Sequence, residues 1–401
     1  MSSREAVVCA GDAGINALAT IRSLGRRGVP VHAVALKASA QIATASRYCA
    51  SRTLVDEPGA LLAALCELAQ ARPRPPLLYV DNDPMLRQLA PHAAALARRF
   101  ELADPIERAE KLTDKAYQLG VAAECGIAVP RSWFPESWPE LGAIGRDTRK
   151  RLIAKPRERA GFKALIAASA AELAEMLRAF GAAPQEVLVQ EFIEGDDAQL
   201  YAGLCYRSSR PARAFTLCAR KLRQTQPGAG VMAVGRVVSA PLVRELTRRL
   251  AAALELRGTL CTEFKLDPTE GRLYFIEWNP RPAYFQSIGW KCGFDLAWLA
   301  WCDHFDPQRL PRAGQAAPGR HYWINFQGEL AHLAKAPGLA LRPGTWLAYV
   351  RPKQWAVLAL DDPRPWLKAM RALVRWLGAG LRARCARLGA AARAARPTSA
   401  T

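Results

Sequence analysis

Two neighbouring stretches decide the fold of this chain: Thr262-Glu263-Phe264-Lys265-Leu266-Asp267-Pro268 and Tyr274-Phe275-Ile276-Glu277-Trp278-Asn279-Pro280-Arg281-Pro282. Both favour strands, and the proline and glycine between them are typical of a hairpin connection. Successive side chains of a strand point to opposite faces, so Glu277, Asn279 and Arg281 share one face. We therefore predict an antiparallel hairpin in which Glu263 faces Glu277.

The polar side chains of this hairpin suit a divalent metal ion. The carboxylates of Glu263 and Glu277 and the carboxamide oxygen of Asn279 are hard ligands for Mg²⁺, or for Mn²⁺, bridging nucleotide phosphates. The guanidinium of Arg281 can neutralise a phosphoryl group during its transfer. Trp278 lies between two of these ligands and should point to the opposite face, into the core. An edge hairpin with a solvated polar face is the alternative interpretation.

Length and composition indicate a globular protein with ample core. The chain has 401 residues, which predicts two or three domains, and 50% of them are hydrophobic against 23% charged. No apolar stretch approaches the roughly 20 residues that a membrane-spanning helix needs, and no N-terminal signal is evident. The ten cysteines lack zinc-binding spacing, and the five histidines are scattered. We therefore expect a cytoplasmic protein with reduced thiols and no catalytic histidine.

The net charge of +20 is concentrated towards the end of the chain, where nine Lys or Arg and no acidic residue follow position 362. An apolar stripe with three- and four-residue spacing runs through this tail at Trp366, Met370, Leu373, Leu377 and Leu381. Basic residues fall on the other face, which predicts an amphipathic basic helix. Either the helix packs on the protein body, or it lies on an anionic membrane surface and makes the protein peripheral to the inner face of the membrane. Nucleic acid is not an expected partner.

The first hundred residues alternate strand and helix patterns. Apolar runs at 6–10, 29–34 and 77–80 predict strands, with a helical pattern after the first of them. Such alternation predicts a parallel sheet covered by helices. The glycine turn at 11–16 lacks the G-x-G-x-x-G spacing of a dinucleotide-binding fingerprint, so we interpret it as a tight strand-to-helix turn.

Two further strand ends suit a nucleotide. Lys155 ends one strand, and the basic loop 157–163 after it suits phosphates. The next strand ends in Gln190-Glu191-Phe192-Ile193, which can present backbone groups and an apolar wall to a flat base, and Asp196 and Asp197 beyond it can meet ribose hydroxyls. Each signal is weak alone, because lysines at strand ends and acidic residues in turns are usually solvated. Their order before the hairpin is much more specific.

This order resembles the ATP-grasp superfamily, the fold of carboxylate–amine ligases and biotin-dependent carboxylases. The resemblance covers roughly residues 6–295 and rests on Lys111-Leu112-Thr113-Asp114-Lys115, Ala154-Lys155-Pro156, Val189-Gln190-Glu191-Phe192-Ile193-Glu194-Gly195, Glu263 and Glu277-Trp278-Asn279-Pro280-Arg281. It implies an α/β chain with an ATP-grasp fold, in which two α+β subdomains enclose ATP, preceded by a Rossmann-like parallel-sheet domain. We predict an N-terminal domain over 1–110, an ATP-grasp domain over 111–310, and a C-terminal extension over 311–401 with the basic helix and a disordered end.

The resemblance also implies roles for individual residues. The implied nucleotide-binding residues are Lys115, Lys155, Gly161, Lys163, Gln190, Glu191, Phe192, Ile193 and Asp197, and the implied metal ligands are Glu263, Glu277 and Asn279. Arg281 would stabilise the transferring phosphoryl group, while Lys221 and Arg223 would hold an anionic acceptor. Lys221-Leu222-Arg223-Gln224 and the following Pro227-Gly228-Ala229-Gly230 are similar to a segment of the D-aspartate-ligase-like branch. Many members have a phosphate loop richer in glycine than this one, whose only glycine is Gly161.

The activity implied is that of an ATP-dependent ligase, which activates a carboxylate as an acyl phosphate and joins it to an amine, releasing ADP and phosphate. ATP and Mg²⁺ would be its cofactors, a small carboxylate and an amine its substrates, and a homodimer its common assembly. Two alternatives remain open. One is a phosphoryl-transfer or carboxylase-type enzyme without amide formation. The other is a non-catalytic, basic membrane- or nucleic-acid-binding protein with a degenerate nucleotide site.

Overall fold

A parallel five-stranded sheet forms the first part of the chain. The computed structural model describes residues 4–11, 14–38, 42–157, 162–209, 213–311 and 321–375. The strands of this sheet are β1 (Ala6–Ala10), β2 (Val31–Leu36), β3 (Cys49–Val55), β4 (Leu77–Val80) and β5 (Glu101–Leu102), in the order β3-β2-β1-β4-β5. Every residue of β1 and β4 is buried, as expected for continuous apolar strands covered on both faces. The predicted Rossmann-like parallel sheet is confirmed.

Helices cover both faces of this sheet. They are α1 (Ile15–Gly25), α2 (Leu61–Gln70), α3 (Asp83–Leu89) and α4 (Ala93–Ala97). The first helix packs in one apolar cluster with β1 and β2, and the other three pack in a second cluster on the opposite face. At the carboxyl end of β4, Asn82 caps α3 by accepting a hydrogen bond from the Met85 amide at 3.0 Å. This cap begins α3 at Asp83, beside the cleft described below.

Two short helices lead into the second part of the chain. They are α5 (Ala109–Thr113) and α6 (Lys115–Glu124). Asp114 interrupts them because its backbone is extended and its side chain caps α6, accepting from the Tyr117 amide at 2.6 Å. The break places Lys115 at the first position of α6.

A four-stranded antiparallel sheet follows. Its strands are β6 (Ser132–Trp133), β7 (Leu152–Pro156), β8 (Leu165–Ala167) and β9 (Val187–Glu191), in the order β6-β9-β7-β8. Two helices, α7 (Trp138–Asp147) and α8 (Ala170–Ala179), pack with it around one apolar cluster. Both predicted strand ends are confirmed, because Lys155 lies near the end of β7 and Glu191 ends β9.

A seven-stranded sheet carries the hairpin. Its strands are β10 (Leu200–Arg207), β11 (Ala214–Gln224), β12 (Met232–Val237), β13 (Gly258–Asp267), β14 (Arg272–Asn279), β15 (Tyr322–Ile324) and β16 (Lys353–Trp355), in the order β14-β13-β10-β11-β12-β15-β16. Helix α9 (Pro241–Ala253) packs on one face, and α10 (Leu296–Phe305) contacts β10 and β13. The hairpin β13–β14 is antiparallel, and Glu263 pairs directly with Glu277, as predicted. Trp278 is 1% exposed and lies in the core, which is also as predicted.

Residues beyond 311 join the same body. They supply β15 and β16 to the large sheet, together with α11 (Phe326–Lys335), α12 (Pro343–Val350) and a helical segment at 364–375. For this part of the chain we predicted the basic helix but not these strands. The three-part domain division itself stays a prediction.

The described part of the basic helix packs on the body, which was the first of the two interpretations. Trp366 and Met370 contact the apolar cluster around β1 and α1, and Ala369 is 1% exposed. Just before the helix, the buried carboxylate of Asp362 accepts from Arg22 at 2.9 Å and from Ser46 at 2.6 Å. Leu377, Leu381 and the predicted disordered end lie outside the described residues. Among the described residues, no helix has both the length and the apolar character needed to cross a bilayer.

Candidate functional site

A cleft of about 550 Å³ lies between the four-stranded and the seven-stranded sheets. The predicted site residues that line it are Lys115, Lys155, Lys163, Gln190, Glu191, Phe192, Ile193, Lys221, Glu263, Glu277, Asn279 and Arg281. They come from α6, from the ends of β7 and β9, and from β11, β13 and β14 with their flanks. The cleft therefore brings together residues that are up to 166 positions apart, between Lys115 and Arg281.

The two carboxylates of the hairpin form the acidic centre of the cleft. Burial alone would raise the pKa of Glu277, but Lys155, Lys163, Lys115 and Lys221 together hold it below its ordinary value. Glu277 is therefore ionised at neutral pH. The register shifts by one residue just after the Glu263–Glu277 pair, since Phe264 pairs with Phe275. Ile276 is the extra residue of this bulge, so both Ile276 and Glu277 line the cleft.

Lysine side chains surround this centre. Lys155 donates to Oε1 of Gln190 at 3.0 Å, and Lys115 donates to the Pro156 carbonyl at 2.8 Å. Burial lowers the pKa values of Lys155 and Lys163, although Glu277 opposes the shift in both cases. Several lysine side chains around these two carboxylates form a site suited to a ligand that carries several negative charges.

One lysine pairs directly with the acidic centre. Lys221 Nζ lies 2.6 Å from Oε2 of Glu263, and the two side chains are 4% and 12% exposed. Burial lowers the pKa of Lys221, but Glu263 and Glu277 outweigh this effect and raise it above its ordinary value. Lys221 is therefore a fixed cation on the Glu263 side of the cleft.

Part of the cleft wall is apolar. Its walls include Ile153, Phe192, Ile193, Leu200 and Ile276. Lys265 lies over the Phe192 ring, with Nζ 4.1 Å from the ring centroid, and burial lowers its pKa to about 8. These apolar side chains, together with the backbone at the end of β9, suit an aromatic base.

Arg281 also lines the cleft and is held by Asp83 of the N-terminal domain. Its Nε donates to Oδ1 of Asp83 at 2.7 Å, and its second terminal nitrogen donates to Oδ2 of Asp83 at 2.8 Å and to Oδ1 of Asn279 at 3.2 Å. Burial opposes the charge, but Asp83 raises the pKa of Arg281 further above its ordinary value. The bidentate contact fixes the plane of the guanidinium.

Arg223 and Asp197 do not line the cleft, contrary to our expectation. A bulge in β11 explains the position of Arg223: Lys221 pairs with Gly235 but Arg223 pairs with Val234, so one extra residue breaks the alternation. Its guanidinium instead pairs with the buried Glu329 of α11 at 2.6 Å. The two residues predicted to hold an acceptor together are therefore separated.

Asp197 is buried and organises a loop. Its carboxylate accepts from the amide of Gln224 at 2.9 Å, from the side chain of Gln224 at 2.9 Å and from the amide of Gly228 at 2.9 Å. These contacts hold the segment after β11 against the short 197–199 turn, so the carboxylate is not presented to a ribose. Gly161, the remaining predicted residue, lies outside the described part of the chain.

Several cleft residues were missed from the sequence. They include Lys265 and Ile276, the apolar residues Phe162, Leu200, Tyr284 and Phe285, and Cys261. Asp83 was also missed as the partner of Arg281. The only signal for Asp83 was its position after β4, because the carboxyl ends of parallel strands form the edge where ligands bind in such sheets.

The donor set fits magnesium held jointly with a phosphate ligand. Mg²⁺ is usually bound by one or two carboxylates plus substrate phosphates and waters, rather than by a complete protein cage. Glu263 and Glu277 face each other, and Asn279 lies two residues further along the same strand. Among the described residues there is no cluster of three or more His, Cys, Asp or Glu side chains able to hold a metal alone. The hairpin thus suits a metal ion that binds together with the phosphates of a ligand.

Comparisons with known proteins identify the fold. No protein-family model and no curated protein sequence matches the chain. Solved structures do match: Staphylococcus aureus N5-carboxyaminoimidazole synthetase complexed with ADP has a TM-score of 0.60 at 14% identity over 78% of this chain and 80% of its own. The biotin carboxylase domain of Hydrogenobacter thermophilus 2-oxoglutarate carboxylase, in complex with MgADP, ADP and bicarbonate, has a TM-score of 0.61 at 16% identity, covering 80% of this chain and 74% of its own. These neighbours are ATP-grasp enzymes, and the chain has the α/β ATP-grasp fold preceded by a Rossmann-like parallel-sheet domain.

Proposed function

We propose that this protein is an ATP-dependent ligase that activates a carboxylate as an acyl phosphate and joins it to an amine. The observation that carries the proposal is the direct pairing of Glu263 with Glu277 inside a lysine-lined cleft between two sheets. Structural neighbours complexed with ADP, or with MgADP, support a nucleotide in the equivalent cleft.

The nucleotide would extend along the cleft from the end of β9 to the hairpin. Its base would contact the apolar side chains of Phe192 and Ile276 and the backbone of Glu191 to Ile193, which all line the cleft. Lys115, Lys155 and Lys163 would bind the phosphates, because their charges surround Glu277 and its neighbours. Mg²⁺ (or Mn²⁺), held by Glu263, Glu277 and Asn279, would neutralise the charge on the phosphate oxygens.

The chemistry consists of two displacements. A carboxylate oxygen of the substrate attacks the γ-phosphorus, the bond to the β,γ-bridging oxygen breaks, and ADP leaves. The amine nitrogen then attacks the carbonyl carbon of the acyl phosphate, the carbon–oxygen bond breaks, and phosphate leaves as the nitrogen loses its proton. Arg281 would hold the planar carboxylate or the transferring phosphoryl group, because its fork is already oriented by Asp83.

The acceptor end of the cleft supports the D-aspartate-ligase-like branch only in part. Lys221 and the loop residues Gly228, Ala229 and Gly230 line this end, as the resemblance implies. Arg223 instead pairs with Glu329. We propose that Lys221 is the lysine that contacts an anionic acceptor, without help from Arg223.

The test is substrate-dependent ADP release by the wild type and by Glu277→Gln. The substitution keeps the shape of the side chain but removes the charge that four lysines stabilise, so ADP release should fall by ~10³-fold or more. Glu270→Gln is the matched control, since Glu270 lies in the turn of the same hairpin and pairs with Lys150 at the surface. A screen of amino acids, dipeptides and small acids identifies the substrates. Wild-type turnover in Glu277→Gln would falsify the metal assignment.

A carboxylase-type reaction is the second candidate. It is favoured by the structural match to a biotin carboxylase domain whose structure contains bicarbonate. In that case bicarbonate would be the activated carboxylate, and ADP release would require bicarbonate but no other carboxylic acid. Release that requires both an organic acid and an amine supports the ligase instead. The non-catalytic alternative predicts no Mg²⁺-dependent ATP binding, which equilibrium binding to the wild type measures directly.

A further inference from the structure

A second surface of the molecule, remote in sequence from the hairpin, is apolar and exposed. We define the α12 face as Leu341, Trp346, Leu347 and Val350, whose exposed fractions are 86%, 46%, 41% and 77%. The last three lie on α12 opposite Thr345 and Ala348, which are buried. The exposed face of this helix is therefore apolar, and exposed apolar side chains grouped in this way mark an interaction site.

Trp346 is well suited to an interface between water and an apolar phase. Its indole nitrogen donates to the Ala340 carbonyl at 2.9 Å, so the polar atom of the ring is satisfied within the protein. Its ring packs against Tyr349 with 5.5 Å between centroids. Tryptophan and tyrosine are enriched where one side of the ring is apolar and the other is hydrated.

The chain segment that carries the α12 face has charges of one sign. Arg342 and Arg351 flank α12 at its two ends and are exposed, and Lys335 at the end of α11 is exposed as well. No Asp or Glu occurs between positions 330 and 360 in the sequence. This surface therefore combines protruding apolar side chains with basic residues.

The nearest acidic residues along the chain are already neutralised. Before this segment, Glu329 is buried and pairs with Arg223 at 2.6 Å. After it, Asp361 pairs with Arg26 at 2.8 Å and Asp362 pairs with Arg22 at 2.9 Å. The positive charge near the α12 face is thus not balanced by these carboxylates.

We infer that the α12 face binds an anionic lipid bilayer surface. Apolar side chains would enter the boundary between headgroups and acyl chains, and the arginines would contact the headgroup phosphates. A second copy of this chain is a poorer occupant, because a two-fold interface would place the same basic residues against each other without acidic partners. The inference stands on the α12 face alone and does not depend on the proposed ligase activity.

The first experiment measures co-sedimentation of the full chain with vesicles of pure phosphatidylcholine and of equal parts phosphatidylcholine and phosphatidylglycerol. The wild type should bind the anionic vesicles, and Leu341→Ser/Val350→Ser should lower the partition coefficient ~tenfold or more, because it removes buried apolar area. The matched control is Leu242→Ser, a change at a 54% exposed apolar residue on α9. Thermal unfolding temperatures equal to that of the wild type verify that the variants fold.

A second pair of variants tests whether binding depends on the α12 face or only on the net positive charge of the protein. Arg342→Glu/Arg351→Glu and Arg98→Glu/Arg257→Glu change the net charge equally, and all four arginines are exposed. Only the first variant should lose vesicle binding. Equal binding by the two charge-reversal variants overturns the inference. The inference is also overturned if Leu377→Ser/Leu381→Ser loses vesicle binding while the α12 variants bind like the wild type. It is also overturned if the wild type is a dimer without lipid and Leu341→Ser/Val350→Ser is a monomer.

Discussion

Lys221 Nζ lies 2.6 Å from Oε2 of Glu263, and both side chains are almost completely buried. Breaking such a pair by removing one partner leaves an uncompensated charge in a poorly hydrated site. The same carboxylate is one of the proposed metal ligands. The ammonium group of Lys221 and a bound metal ion would therefore both stabilise the charge of Glu263.

Lys221→Met should lower the free energy of unfolding by about 3 kcal/mol, because Glu263 loses its buried partner. Mg²⁺ and ATP together should restore more of this stability in the variant than they add to the wild type, since the metal would replace the missing cation. Thermal unfolding with and without Mg²⁺ and ATP measures both quantities.

The control for this experiment is Lys37→Met. Lys37 pairs with Asp56 at 2.8 Å, but the two side chains are 55% and 80% exposed, so its loss should cost less than about 1 kcal/mol. If Lys221→Met gains no more from Mg²⁺ and ATP than the wild type does, Glu263 is not a metal ligand.

Asp83→Asn should reduce kcat by about tenfold to a hundredfold, because the guanidinium of Arg281 loses its bidentate partner and its fixed orientation. Asp83 positions Arg281 across the two domains. The KM for ATP should change by less than roughly twofold, since the effect concerns orientation at the reacting group. Steady-state ADP release measures both constants.

Partial rescue of kcat by Asp83→Glu, which keeps the charge, distinguishes positioning from a purely structural role. Asp56→Asn is the control, because Asp56 is an exposed residue of the same domain. Equal loss of kcat in Asp83→Asn and Asp83→Glu, with an unfolding temperature lowered in both, contradicts the prediction.

Lys265→Met should stabilise the protein at pH 7 by ~2 kcal/mol, because folding desolvates the lysine and depresses its pKa. The folded-state pKa is about 8, below the value of 10.5 that an unperturbed lysine has. The unfolded state therefore binds more protons between these two values, and wild-type stability rises with pH across that window. The advantage of Lys265→Met should accordingly be full below pH 8 and shrink towards pH 10.5. Urea unfolding across this range measures the difference, and a constant difference excludes the titration of Lys265 as its cause.

Asp362→Asn should lower the free energy of unfolding by about 3 kcal/mol or more, because it leaves the buried Arg22 without a counter-charge. Arg22 and Asp362 are 2% and 0% exposed, and they join the N-terminal domain to the segment that precedes the basic helix. Asp56→Asn, at an exposed pair, should cost less than about 1 kcal/mol and serves as the control. Denaturant unfolding provides both values, and equal costs for the two variants contradict the prediction.

Local strand geometry made much of the site predictable. The facing of Glu263 and Glu277 and the burial of Trp278 follow from side-chain alternation and a short turn, which depend on residues close together in sequence. Lys155 and Glu191 were likewise predicted at strand ends, where a change from apolar to polar residues is visible. The clustering of these strand ends in one cleft was inferred from their order and from the family resemblance.

Two local irregularities could not be predicted from the same rule. The bulge in β11 turns Arg223 away from Lys221 and towards Glu329. The bulge in β14 lets Ile276 face the cleft beside Glu277. A bulge adds one residue to one strand only, and its position depends on the partner strand.

The sequence by itself determined the strand ends, the hairpin that pairs two carboxylates and the parallel N-terminal sheet, because these depend on residue type and on the spacing of near neighbours. Only the tertiary structure decided that Arg281 is held by Asp83, 198 positions earlier, that Asp197 supports a loop, and that Lys221 pairs with Glu263. A charged side chain pairs with the group that packing brings within hydrogen-bond distance. In these cases the two groups belong to elements that are distant in the chain, so only the tertiary structure brings them together.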